Sequence, residues 1–260
     1  MLEGKLTWTK YGNGEKVVLA FHGFGQHRSI YEKLGEKVEN VSVYSFDLFF
    51  HGSNHLVTLS LSKRQFSEAI EHFLEEHGIT RFSIIAYSIG VRSALAIVEK
   101  FPVQVEELVL LAPDGIRTNA IYKIATGTRL GNLFFKHLIE NTHLILSTLD
   151  LFYKRNWLDK ETYKVAYRLL SDPFTAHRVY NAWMVYRKFT FDTQKIASIL
   201  NQYQIPVKII LGAKDSIIPA KPVQNFAKLL RHCQCQTVPG GHIYLLQQFL
   251  RTHAALLFTE

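Results

Sequence analysis

The sequence predicts an α/β fold, a mostly parallel central sheet flanked by helices with an all-helical segment set into it. Three observations predict this. Short apolar runs alternate with helical patterns over the first 115 residues. The alternation stops near Asp114 and resumes at Val207. The interval between them lacks strand-like alternation and is crowded with aromatic side chains, among them Phe134, Phe152, Trp157, Tyr180 and Trp183. With 260 residues, of which 47% are hydrophobic, the chain can bury a large core, which excludes a disordered or fibrous protein.

The elements follow in order. Lys16–Phe21 is a compact apolar run that ends at His22-Gly23, and Val41–Phe46, Phe82–Ala86 and Val105–Ala112 repeat the pattern. Near-continuous apolar runs closed by turn residues suit strands buried on both faces, as in a parallel sheet. Between them, Ser62–His77 reads as a helix, opened by Ser62 with Gln65 three residues later as a capping box. After the aromatic interval come a strand at Val207–Leu211, a helix around Val223–Leu230, a short strand at Gln236–Val238 and a terminal helix after His242. The expected division is therefore a core of residues 1–115 and 205–260 with a helical insert over 116–204.

Charge follows the same division. The net charge is +8, yet Ile116–Lys195 holds 13 Lys and Arg against 6 Asp and Glu, so this segment carries nearly all of the excess. The surplus is either a solvated face or a device for anionic ligands. Its charges are interspersed with large apolar residues, which speaks against nucleic-acid binding. No apolar run is long enough to span a membrane, and the amino terminus has no secretory pattern. The only cysteines, Cys233 and Cys235, sit two apart, a poor disulfide framework that fits ordinary thiols in a reducing cytoplasm. The histidines lack metal-ligand spacing and no Gly-rich phosphate loop is present, so neither a metal nor a cofactor is expected.

The strongest local signal is Ile84-Ile85-Ala86-Tyr87-Ser88-Ile89-Gly90, between a strand and a helix. A serine on a sharp strand-to-helix turn stands above the sheet edge, and small residues two before and two after it (Ala86 and Gly90) let the backbones approach. Such a serine could simply cap the helix. A nucleophile, however, needs a base and a group to orient that base. Downstream, Asp215 follows the Val207–Leu211 strand and His242 lies on the Gly-rich loop after the last strand. Asp114, at the end of an earlier strand, is the competing acid. In His22-Gly23-Phe24-Gly25 a Gly-rich turn follows the first strand, which makes the Phe24 and Ile89 backbone N–H groups the candidates for stabilising an oxyanion.

With these residues in place, the chain resembles the α/β-hydrolase superfamily. The resemblance spans the whole core: the His22 loop, Asp47-Leu48-Phe49-Phe50-His51-Gly52-Ser53, the serine turn, Asp215 and His242 in the family's order. It implies an active site at the carboxyl ends of the strands and a helical lid inserted after the sixth strand. It also implies a shaping role for Asp47, His51 and Ser53. Serine at the turn, where relatives that open epoxides carry aspartate, implies acyl chemistry on a small-molecule carboxylic ester or thioester. The expected substrate-binding residues are His22, Tyr87, Arg92, Trp157 and Trp183. One rival follows from Arg92, four residues after the serine, which is similar to an arginine of menaquinone-pathway lyases that holds a carboxylate-rich substrate. Carbon–carbon bond hydrolysis with the same residues is a second rival, and a non-catalytic ligand receptor a third. Nothing in the sequence speaks to oligomeric state.

Overall fold

The computed structural model describes residues 6–54, 61–117, 120–253 and 257–258, with residues 120 and 121 described for their backbone alone. Residues 1–5, 55–60, 254–256 and 259–260 of the expected core and 118–119 of the expected insert lie outside that description. Along the chain run β1 (Trp8–Tyr11), β2 (Lys16–Phe21), α1 (Glu32–Lys37), β3 (Val41–Phe46), α2 (Lys63–Glu76), β4 (Phe82–Tyr87), α3 (Gly90–Lys100) and β5 (Val105–Leu111). Six helices follow: α4 (Ala120–Gly127), α5 (Arg129–Glu140), α6 (Thr142–Lys154), α7 (Lys160–Leu170), α8 (Pro173–Tyr186) and α9 (Thr193–Gln202). The chain then returns through β6 (Val207–Gly212), α10 (Ala220–Ala227), β7 (Cys233–Val238) and α11 (Leu245–His253).

Among the described residues the strands form one seven-stranded sheet in the order β1-β3-β2-β4-β5-β6-β7, parallel except for β1, which runs antiparallel to β3. Burial explains the apolar runs. Every residue of β3 and β4 is buried, as are the last four of β2, β5 and β6, because helices cover both faces. The antiparallel β1 is not expected from the sequence: Trp-Thr-Lys-Tyr is short and half-exposed, so it has no apolar run. The capping box is present, Ser62 Oγ accepting from Gln65 N–H at 3.2 Å while Gln65 Oε1 accepts from Ser62 N–H at 3.0 Å.

Two differences from expectation concern the insert. Among the described residues, the helices follow the fifth strand of seven rather than the sixth. The chain also divides into a sheet unit (1–57, 62–117 and 189–260) and a helical unit (58–61 and 118–188), so α9 belongs with the sheet. The reason is visible in α9 itself, whose Ile196, Ala197 and Leu200 are buried, and which packs on α3. Within the helical unit, α5 lies against α8: Phe135 packs on the rings of Tyr180 and Trp183 at 5.4 and 5.2 Å. The α6–α7 pair is joined by Tyr153 stacked on Tyr163 at 4.4 Å, with the Tyr163 hydroxyl donating to Asp150. That hydrogen bond to a carboxylate pushes the Tyr163 phenol up to about 12.

Candidate active site

The site begins with one strained residue. Ser88, at the end of β4, has φ of +52°, in the left-handed region that non-glycine residues avoid. Three backbone hydrogen bonds hold it there. Its N–H donates to Leu111 O at 2.9 Å, and its carbonyl accepts from Val91 N–H at 3.0 Å and Asp114 N–H at 3.2 Å. Gly90 is needed for the same turn: a Cβ there would lie 2.5 Å from the carbonyl oxygens of both Phe21 and His22. The helix start can therefore press against the tip of β2 only because residue 90 has no side chain.

The loops after β6 and β7 bring the other two groups to Ser88. His242 Nε2 lies 2.9 Å from Ser88 Oγ, and its Nδ1 lies 2.8 Å from Asp215 Oδ2. A carboxylate can only accept, so the proton sits on Nδ1 and leaves Nε2 to accept from the serine hydroxyl. Asp215 is fixed by its other oxygen, Oδ1, which accepts from the N–H groups of Ile217 and Ile218, each at 2.9 Å. Its side chain is almost wholly buried, whereas that of His242 stays partly open. Serine, imidazole and carboxylate thus form one hydrogen-bonded chain, able to deprotonate a hydroxyl nucleophile and to return the proton to a leaving group.

Asp114, the competing acid, is placed elsewhere. Arg92 donates to it twice, Nε to Oδ2 at 2.8 Å and Nη2 to Oδ1 at 3.1 Å, and its Nη1 donates to Phe189 O at 3.2 Å. The likeness to menaquinone-pathway lyases would put Arg92 at a substrate carboxylate. Instead it is buried, and its guanidinium is turned to a carboxylate of its own chain.

Two more residues expected to touch substrate are likewise engaged within the fold. His22 is fully buried, and burial lowers its pKa to about 4, so the ring is neutral. Its Nδ1 lies 2.8 Å from Gly23 O, and its Nε2 accepts from Leu48 N–H at 3.1 Å. Those two bonds fix the tautomer and tie the loop after β2 to the loop after β3. Tyr87 is buried beneath His242; its hydroxyl donates to the His242 carbonyl, and burial raises its pKa well above the ordinary phenol value. Trp157 and Trp183 belong to the helical unit, Trp157 63% exposed and Trp183 packed on Tyr122 and Phe135.

The backbone around the candidate oxyanion groups is set by the expected loop-shaping residues together with Gln26 and Arg28, which sequence reasoning missed. Gln26 accepts from Gly23 N–H at 2.9 Å through Oε1, which shapes the turn that carries Phe24. No sequence signal singles it out, since a glutamine after a Gly-rich turn is unremarkable in itself. The Phe24 ring meets His51 edge-on at 4.9 Å. Asp47 organises the next loop: Oδ1 accepts from Arg28 N–H at 2.9 Å, Oδ2 accepts from Ser53 N–H at 3.0 Å, and the Arg28 guanidinium pairs with it. These partners outweigh burial and hold the Asp47 carboxyl below its usual range. Ile89 N–H, on the residue after the serine, has no acceptor among the described residues. Among the described residues no group of His, Cys, Asp and Glu side chains could hold a metal ion.

Residues 12–242 match the hydrolase family described as serine aminopeptidase, S33. The chain is 25% identical over 257 residues to Lipase 1 of Psychrobacter immobilis, a match covering 94% of this chain and 76% of that protein. It is 22% identical to Lipase 3 of Moraxella sp. (strain TA144), over 90% of this chain and 73% of that one. Among solved structures it is similar to MGS-M2, an alpha/beta hydrolase enzyme from a Medee basin deep-sea metagenome library. The TM-score is 0.71 at 17% identity, with 98% of this chain and 94% of that one covered. A thermophilic esterase from Thermogutta terrifontis matches with a TM-score of 0.62 at 17% identity, covering 95% of this chain and 89% of that one.

Proposed function

The chain belongs to the serine aminopeptidase S33 family of α/β hydrolases, and from that premise we propose that it hydrolyses carboxylic esters or thioesters through an acyl-enzyme on Ser88. The observation that carries this reading is the continuous chain from Ser88 Oγ through His242 to Asp215, mounted on a strained turn. Ser88 Oγ attacks the acyl carbon while His242 Nε2 takes its proton. The carbonyl oxygen becomes an oxyanion facing the N–H groups of Phe24 and Ile89. Collapse expels the alcohol or thiol, which takes the proton from His242. Water then attacks the acyl-enzyme, gives one proton to His242, and releases the acid as Ser88 recovers its hydrogen. Asp215 holds the imidazole in the tautomer this sequence needs.

The two curated relatives being lipases supports ester over amide substrates. The lyase reading needs Arg92 at a substrate carboxylate, and the pairing of Arg92 with Asp114 removes that support. We assign the helical segment the role of a lid. A cytoplasmic location is supported by the free thiols of Cys233 and Cys235, the former raised to about 11 by burial. Among the described residues, no helix is long and apolar enough to cross a membrane.

The test sets three substrates against the wild type and His242→Ala: p-nitrophenyl butyrate, a butyryl thioester and leucine p-nitroanilide. Hydrolysis of the ester or thioester that vanishes with His242→Ala supports the reading. Cleavage of the anilide alone would replace it with an aminopeptidase.

A further inference from the structure

The helical unit carries an apolar face that its own packing leaves uncovered. Helix α5 has two such faces where a surface helix needs one. Asn132, Phe135 and Ile139 form the inner face: Phe135 packs on Tyr180 and Trp183, and Asn132 reaches Met184 Sδ and the Tyr180 hydroxyl, all on α8. Leu130, Leu133 and Phe134 occupy the opposite side of the same helix, 81%, 57% and 63% exposed. Ile124 on α4 adds to them at 59%. The tight turn between the helices keeps these side chains near one another. Thr128 caps α5 by accepting from Gly131 N–H at 3.0 Å and donates to Ile124 O at 2.9 Å. Gly131 sits so close to α4 that a Cβ would come within 2.1 Å of Ile124 O.

The charge on α4 and α5 is basic up to Glu140, the last residue of α5. No Asp or Glu occurs from residue 115 to residue 139, while Lys123, Arg129 and Lys136 are exposed on the same two helices. Lys136 reaches Glu140 at 3.7 Å; Lys123 and Arg129 have no carboxylate partner among the described residues. Protruding leucine and phenylalanine side chains flanked by unpaired cations are the makings of a surface that enters the boundary between acyl chains and anionic headgroups. A protein partner would need a groove cut to receive these side chains, whereas a lipid surface takes them without one.

We propose that the α4–α5 hairpin docks this protein on anionic phospholipid membranes, its apolar side chains inserted and Lys123 and Arg129 against the headgroups. This surface is independent of the serine chemistry and stands or falls separately from it.

The experiment is co-sedimentation of the full chain carrying Ser88→Ala, so that no lipid is turned over. The vesicles are pure phosphatidylcholine or a 7:3 mixture with phosphatidylglycerol, at low and high salt. Two surface double variants are compared with it, Leu130→Ser/Phe134→Ser and Lys123→Glu/Arg129→Glu, with circular dichroism and thermal melts as folding controls. Binding to the anionic vesicles at least ten-fold tighter than to the neutral ones is expected, weakened by salt. The serine pair should lose at least ten-fold on anionic vesicles, and the glutamate pair should abolish the preference for them. Absence of binding to either vesicle, or binding that neither folded variant weakens, would overturn the proposal. So would light scattering that shows a dimer which the serine pair splits, since the face would then belong to a second copy of the chain.

Discussion

In the loops beyond β2, β3, β4, β6 and β7, buried polar side chains such as His22, Asp47 and Asp215 are each held by named partners. In the helical unit, by contrast, lie ten of the fourteen large apolar side chains that stand exposed among the described residues. The first region invests its interactions in geometry. It holds Ser88 in a backbone conformation serine avoids and dictates where each proton sits. The second keeps a modest core around Phe135, Tyr180 and Trp183 and leaves hydrophobic surface for something outside the chain. Substitutions in the first region should therefore change reaction rate and acid stability, and substitutions on the exposed face of α5 should change neither.

The largest effect separates two carboxylates of the sheet unit. Asp215→Asn should lower turnover by about 10⁴-fold, since an amide in that place favours the wrong imidazole tautomer. Asp114→Asn, whose partner is Arg92 rather than His242, should leave kcat within about ten-fold of wild type. Steady-state kinetics on one ester measures both, and an equally crippled Asp114 variant would break the assignment.

Stability gives the next contrast. Leu19, fully buried at the centre of β2, should cost about 2–5 kcal/mol when cut to alanine, through lost burial and the cavity left behind. Denaturant titration with an unchanged m-value is the check.

Acid sharpens the comparison further. Burial holds folded His22 at about 4, below its ordinary value of about 6.5, so as pH falls the unfolded chain takes up the proton first. The contribution is intact above about pH 6.5, is lost between there and pH 4, and levels off below; at full size it is about 3 kcal/mol. His22→Gln should flatten that stretch of the stability–pH curve. An unchanged slope would mean that His22 is not held neutral.

At the bottom of the scale, Leu130→Ala on the exposed face of α5 should shift the unfolding free energy by no more than about 0.5 kcal/mol. A loss as large as that of Leu19→Ala would show that the face is covered in the folded chain.

The same contrast governs how much can be read from the sequence. The parallel strands are legible because burial on both faces writes a continuous apolar run, as in Val-Val-Leu-Ala-Phe of β2. Ser88 and Asp215 are legible because each follows such a run, and His242 because it stands on a Gly-rich turn in the right order after them. β1 is not, because a half-exposed edge strand has no such run. Partners are harder than positions. That Arg92 turns to Asp114, and that His22 and Tyr87 are buried and bonded within the fold, depends on residues distant in sequence: Phe189, Leu48 and the His242 carbonyl. For the same reason the sequence does not reveal where the helical unit ends. Helix α9 shows the same amphipathic pattern as its predecessors, and only its packing on α3 assigns it to the sheet unit.

The central claim is that Ser88 is a nucleophile made reactive by its neighbours, and a fluorophosphonate probe followed by peptide mass spectrometry tests it most directly. One adduct on Ser88 is expected, absent from Ser88→Ala, with that variant's ester turnover down by about a million-fold. Labelling at another residue, or undiminished hydrolysis by the alanine variant, would contradict it.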